Sequence, residues 1–283
     1  MFRLTIFWSI LTLAACQPVT NMGADVGSQN ETRPVRIVSL DYCADQYVLK
    51  MVNRKHILAV SPDAAKSFSY MRKKAVGLKS VRSTAEDVMI LKPDLVVRSY
   101  GGGPNAVAFF EKAGVPVLNV GWAGDIDGIK RVTSEMAEGL GVPERGEEII
   151  ADMDARLAGL KTQPDNNKVL YMTPSGTTSG PGSLVHEIMI EAGFENFEAK
   201  AGWRSLPLER FAYERPDMVA AAFFDTNSLE KDSWSPMRHP IARAQIAELP
   251  TVALNGSWMS CGAWFSMDAI EALADRNYLE GEL

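Results

Sequence analysis

Among the residues able to do chemistry in this chain of 283, the cysteines are the most distinctive: Cys16, Cys43 and Cys261. Cys43 and Cys261 sit in the body of the sequence, each shortly after an apolar run. Two thiols within reach of one another in an oxidising compartment pair as a disulfide by default. Left free, they would offer two sulfurs to a ligand or a metal, and simple burial is the third reading. The histidines His56, His186 and His239 are scattered, with no HxxxH, HxxE or Cys-x-x-Cys spacing, so no dedicated protein-ligated metal site is expected. His186, on an apolar helical pattern, reads as a core residue, and His239 as a helix-start residue before Pro240.

A second group is aromatic and cationic. Tyr42, Tyr70, Tyr100, Trp122, Trp203 and Trp258, with Phe68, Phe224 and Trp264, fall in segments that follow apolar runs, and so do Arg82, Arg98 and Arg204. Rings at loop tips give large, stiff contact area to a bulky planar or chelated ligand. Guanidinium groups suit carboxylate or catecholate oxygens, which they grip in pairs of hydrogen bonds. Recognition is therefore expected rather than bond-making. Gly176-Thr177-Thr178-Ser179-Gly180 lacks the spacing of a nucleophile elbow. Gly101-Gly102-Gly103-Pro104 lacks the Lys-Ser/Thr of a phosphate loop, and both segments read as turns at strand ends. No nucleophile, base and orienter can be nominated together, so the chain is not expected to be an enzyme.

Positioning such residues requires a scaffold with many loops on one edge. From Val35 short apolar runs alternate with helical patterns, which is the signature of an α/β fold built on parallel strands. Strands are predicted over 36–40, 57–61, 95–99 and 117–120, and helices over 44–52, 85–91, 105–113 and 126–140, the last ended by Gly141. A charged stretch from Pro143 to Leu160 then carries Ile149, Ile150, Met153, Leu157 and Leu160 on one side, as a single long amphipathic helix would. A second α/β series follows, with strands over 168–172, 218–223 and 251–254 and helices over 184–192, 207–213, 242–249 and from about Met267. An internal repeat ties the two series together: Glu86-x6-Pro93-Asp94-x-Val96 returns as Glu209-x6-Pro216-Asp217-x-Val219, and Val115-Pro116-Val117 is echoed by Leu249-Pro250-Thr251-Val252. One supersecondary unit used twice explains both. Two similar α/β lobes joined by one rigid helix, with a ligand cleft between them, are the expected architecture.

The amino terminus carries a different signal. Arg3, an apolar run from Leu4 to Leu13 and Leu13-Ala14-Ala15-Cys16 read as an export signal, too short for a permanent span. Leu-Ala-Ala-Cys resembles the lipobox of bacterial lipoproteins, which implies cleavage before Cys16 and lipidation of its thiol. Residues 17–33 are polar and aperiodic and suit a flexible tether. The expected layout is therefore a signal peptide over 1–15, a tether over 16–33, an N-terminal lobe over 34–141, a bridging helix over 142–163 and a C-terminal lobe over 164–283. A formal net charge of -6 without a basic block excludes a nucleic-acid footprint.

Taken together, Arg36-Ile-Val-Ser-Leu40, Glu86 with Leu91-Lys-Pro-Asp-Leu-Val96, Gly114-Val-Pro-Val117, the helix after Pro143, Leu208-Glu209 with Arg215-Pro-Asp217, and Arg238-His239-Pro240 resemble the periplasmic-binding family for iron-siderophores and cobalamin. The resemblance covers about Pro34 to Ala274. It implies a lipid-anchored, monomeric periplasmic component of an ABC importer that binds a metal chelate, whether ferric siderophore, corrinoid or heme. No intrinsic cofactor is implied, the metal arriving within the chelate. It also implies that Glu86 and Glu209, one on the tip of each lobe, pair with arginines of the permease dimer. Ligands in such folds lie beyond the carboxyl ends of strands, so Tyr42, Cys43, Tyr70, Arg82, Tyr100, Trp122, Trp203, Arg204, Trp258 and Cys261 are the candidate ligand contacts. A two-lobed lipoprotein without a transport role, or a hydrolase on the same scaffold, is the alternative.

Overall fold

Strands buried on both faces are mostly apolar, and the first described strand, β1 (Ile37–Ser39), is buried throughout with Ile37 and Val38 apolar. Ile37 joins one apolar cluster and Val38 the opposite one. The computed structural model describes residues 34, 36–161, 167–173, 175–223, 239–240, 243–244 and 248–276. The expected signal peptide, tether and Cys16, together with Phe224, Arg238 and half of the helix expected over 242–249, lie outside the described residues.

After β1 come α1 (Tyr42–Met51), β2 (Ile57–Ala59), α2 (Arg72–Ala75), α3 (Ala85–Met89), β3 (Leu95–Arg98), α4 (Ala106–Lys112), β4 (Val117–Asn119) and α5 (Ile126–Gly139). The strands form a wholly parallel sheet in the order β2-β1-β3-β4. Gly141, at φ 68, ends α5 as expected: its N–H and that of Val142 turn back onto the carbonyls of Glu138 and Ala137, a geometry that costs other residues a left-handed backbone. The long helix α6 (Pro143–Ala158) follows, with Ile149 and Met153 buried and Lys130 of α5 paired to Asp154 at 2.5 Å. At 1.5 Å per residue it is a rod of about 24 Å.

The second series contains β5 (Lys168–Met172), β6 (Thr177–Ser179), α7 (Leu184–Glu191), β7 (Glu195–Asn196), β8 (Trp203–Ser205), β9 (Met218–Phe223), β10 (Thr251–Asn255), α8 (Gly256–Met259) and α9 (Ser266–Ala274). Its main sheet is parallel in the order β10-β9-β5-β7, which is the first sheet's order with β7, β5, β9 and β10 standing for β2, β1, β3 and β4. The sequence repeat appears directly in the hydrogen bonds. Asp94 N donates to the Arg36 carbonyl as Asp217 N does to that of Lys168, and Val96 N reaches the Pro116 carbonyl as Val219 N reaches that of Pro250.

Two expectations fail. The helix predicted over 207–213 is only a 3-10 turn over Arg210–Ala212. There the Arg210 guanidinium donates to the Phe197 carbonyl and lies 4.0 Å from that ring's centre. The segment 176–180 is not only a turn. Thr177–Ser179 forms β6, paired antiparallel with β8, because its hydroxyl-bearing residues suit an extended backbone and Trp203–Ser205 supply the partner edge.

Candidate functional site

The segment Asp41-Tyr42-Cys43-Ala44-Asp45-Gln46-Tyr47 opens α1 just beyond the carboxyl end of β1, and its side chains tie several loops together. Asp41 caps the helix by accepting from Ala44 N at 3.0 Å, while its other oxygen accepts from the backbone of Ser99, Tyr100 and Gly101 at 2.6, 3.1 and 2.9 Å. One carboxylate thus fixes the loop after β3 against the loop after β1. That approach is close: a Cβ on Gly101 would lie 2.6 Å from the Leu40 carbonyl oxygen. Asp45 accepts from Ser61 N and Oγ at 3.0 and 2.5 Å and so fixes the loop after β2. Gln46 donates to Ser69 Oγ and accepts from Met71 N, fixing the segment that carries Phe68 and Tyr70.

Two aromatic walls result, one on each half. Tyr42 meets Phe68 edge-on at 5.3 Å and Tyr100 at 6.3 Å, and Tyr100 is 55% exposed. On the other half Trp203 stands 58% exposed with its ring edge-on to the buried Tyr171 at 5.9 Å. Arg204 follows on β8 with its Nε 3.9 Å from the buried Glu198 carboxylate. Trp203 and Trp122, the latter 80% exposed, make no ring contact with the tyrosine wall among the described residues.

Several candidates are placed otherwise than expected. Cys43 and Cys261 are bonded to each other, Cα to Cα 5.8 Å, so neither presents a free thiol to a ligand. Tyr70 stacks on Phe265 at 4.6 Å and donates to Asp268 at 2.9 Å, which makes it part of the junction between the halves. Arg82 is paired with Asp87 at 2.8 Å across the start of α3. Arg98 holds the Gly101 and Gly103 carbonyls and shapes the glycine turn. Trp258 is half-buried against the core, and Trp264 is fully inside it against Tyr47. Glu86 and Glu209 are both exposed.

The sequence model of the family described as periplasmic binding protein matches residues 37–231, more than half of the chain. The chain belongs to that family. Among solved structures it is similar to the periplasmic heme-binding protein HutB of Vibrio cholerae, with a TM-score of 0.69 at 18% identity over 86% of this chain and 98% of the other. It is also similar to the periplasmic heme-binding protein RhuT from Roseiflexus sp. RS-1 in apo form, with a TM-score of 0.65 at 21% identity over 85% and 98% of the two chains. For the periplasmic vitamin B12 binding protein BtuF of Vibrio cholerae the TM-score is 0.60 at 17% identity over 86% and 96%. At these identities the likeness establishes the fold, two lobes of parallel sheet. No curated protein matches in sequence.

In this periplasmic binding protein the electrostatics of the tyrosine wall follow from burial. Burial raises the Tyr42 hydroxyl above the ordinary tyrosine value, and burial with the nearby Asp41 charge does the same for Tyr100. Both stay protonated at neutral pH, and the Tyr42 hydroxyl donates to the Ser260 carbonyl. No group of three His, Cys, Asp or Glu side chains placed to hold a metal ion occurs among the described residues. No helix among them is long and apolar enough to cross a membrane.

Burial also pushes the Asp45 carboxyl up to about 6, against the pull of the Ser61 hydrogen bonds. An unfolded aspartate titrates near 4. The folded protein therefore holds this proton over pH 4 to 6 where the unfolded chain has lost it, and the associated stability is complete below the lower value and gone above the upper. Chemical denaturation from pH 4 to pH 7 should show wild type losing about 3 kcal/mol more than Asp45→Asn, which lacks the titrating group. Equal losses would show that Asp45 is ionised throughout.

Proposed function

We propose that this chain is the capture component of a bacterial ABC importer for a metal chelate, of the ferric siderophore, corrinoid or heme kind. The observation that carries the reading is the pair of equivalent parallel lobes with exposed aromatic surface on each, Tyr100 beside the part-buried Tyr42 and Phe68 on one and Trp203 of β8 on the other. Large apolar contact area with a few polar groups, here the Tyr42 and Tyr100 hydroxyls and Arg204, suits a bulky chelate. Heme and vitamin B12 are named as the ligands of structurally similar proteins. The metal enters and leaves within the chelate, so the protein needs no cofactor and performs no chemistry on its cargo.

The reading includes export to the periplasm, lipidation at Cys16 and action as a monomer. Delivery follows docking on a twofold permease through Glu86 and Glu209, which the repeat sets at matching positions before β3 and β9. Exposed carboxylates can form strong charge-assisted bonds with guanidinium groups. Native mass spectrometry of the mature protein against ferric hydroxamate and catecholate siderophores, cobalamin, cobinamide and heme tests capture. One-to-one binding of a chelate supports the reading, and no binding of any sinks it. Docking is tested separately: Glu86→Lys with Glu209→Lys should lower uptake at least tenfold in cells carrying the importer while leaving chelate affinity within twofold. Normal uptake by the double variant would remove the docking role.

A further inference from the structure

The segment Trp258 to Asp268 follows the last strand of the C-terminal half, yet it is bonded to the N-terminal half at one point after another. Cys261 is joined to Cys43, 218 residues away. The Tyr42 hydroxyl donates to the Ser260 carbonyl and that of Tyr47 to the Gly262 carbonyl. The Tyr70 hydroxyl donates to Asp268 Oδ2, while Asp268 Oδ1 and both Glu271 oxygens accept from Arg156 at the end of α6. Covalent bond, tyrosine bonds and rod helix thus meet along one edge of the junction. Hydrogen bonds between partly buried groups open and re-form under thermal motion, whereas a disulfide does not. Among these contacts the sulfur bridge is the covalent one.

We propose that the Cys43–Cys261 disulfide is a covalent pin between the two lobes that sets their spacing in the oxidised protein. Cys43 follows Tyr42 directly, and the pin therefore also fixes the register of the tyrosine wall against the opposite lobe. Reduction by a dithiol breaks the S–S bond. Two electrons and two protons pass to the sulfurs of Cys43 and Cys261, and the dithiol closes to its own disulfide. What remains is the tyrosine bonds, the packing of Trp264 on Tyr47 and of Phe265 on Tyr70, and α6, which leave the lobes joined but wider in their range. Disulfides persist in oxidising compartments, so a chain of this kind reaches its capture geometry only after it has been oxidised. That last consequence rests on capture between the lobes, as proposed above; the pin itself does not.

The test needs no ligand. Spin labels carried on unnatural amino acids at Glu111 on α4 and Glu191 on α7, both exposed, report the distance between lobes by pulsed electron resonance. The oxidised protein should give one narrow distribution. After dithiothreitol under native conditions, and separately in Cys43→Ser/Cys261→Ser, the distribution should at least double in width while the far-UV circular dichroism stays unchanged. Equal widths in all three samples would overturn the proposal. Loss of the dichroism signal on reduction and in the variant would overturn it as well, because the bond would then hold the fold rather than the spacing. Failure of the chelate panel would leave this result untouched, so the two ideas fall separately.

Discussion

Asp41→Ala is expected to lower the stability of the protein by about 4 kcal/mol, the largest effect of any single polar substitution in the N-terminal lobe. Asp41 is 2% exposed and accepts from four backbone donors, those of Ala44, Ser99, Tyr100 and Gly101. Each buried donor left without a partner costs about 1–3 kcal/mol, and water entering the gap recovers part of the sum. For a chain of this size the melting temperature should fall by on the order of 10 °C. Asp41→Asn keeps an acceptor oxygen and should lose about half as much. Thermal unfolding of the two variants checks the pair, and a shift under 2 °C for Asp41→Ala would mean that the loops after β1 and β3 are held by other contacts. Chelate affinity should fall with Asp41→Ala even at temperatures where the variant is folded, since the loop carrying Tyr100 loses its anchor.

Removing the disulfide is the other large effect. The bond closes a loop with a sequence separation of 218. By chain entropy a loop of that size is worth about 5 kcal/mol, and native disulfides when removed typically cost about 2–5 kcal/mol. Cys43→Ser/Cys261→Ser should therefore unfold at a denaturant concentration lower by the equivalent of about 4 kcal/mol in equilibrium urea unfolding. The variant still folds at room temperature if the whole chain has an ordinary margin of about 5–15 kcal/mol. An unchanged midpoint would show that the unfolded chain is already compact enough to keep the two sulfurs near each other.

How much of this was legible in the sequence depends on the range of the interaction. Strands such as Leu95–Arg98 and Met218–Phe223 show as apolar runs because parallel strands are covered on both faces. The repeat around Pro93-Asp94 and Pro216-Asp217 is local in each copy, and it correctly anticipates two sheets of the same order. The pairing of β6 with β8 was not legible. Thr177–Ser179 and Trp203–Ser205 are short and polar, and their glycine neighbours signal a turn. The 3-10 turn at Arg210–Ala212 reads as a helix in the sequence because local apolar spacing does not register the bond from Arg210 to the Phe197 carbonyl.

In the site, aromatic side chains after strands were visible as a class, but their partners were not. Tyr42 and Tyr70 were chosen on the same grounds, yet Tyr42 joins the exposed wall and Tyr70 turns to Asp268 on α9. Arg82 reads in the sequence as a candidate ligand contact, and the structure gives it Asp87 as a partner. Asp41, Asp45 and Gln46, which hold the loops together, were passed over. Asp41 three residues before Ala44 carries the mark of a helix cap, but bonds spanning 58 to 60 residues leave no trace in local spacing.

Capture between the lobes is the centre of the account, and intrinsic tryptophan fluorescence of the oxidised mature protein tests it most directly. Trp203 on the C-terminal wall should be quenched when a chelate lies against it and Tyr42 and Tyr100 close from the other side. The account predicts saturable quenching by one of the ferric siderophores, cobalamin, cobinamide or heme, diminished by half or more in Trp203→Phe and with at least tenfold weaker affinity in Tyr42→Ala. Quenching by none of them, or saturable quenching unaffected by either substitution, would contradict it.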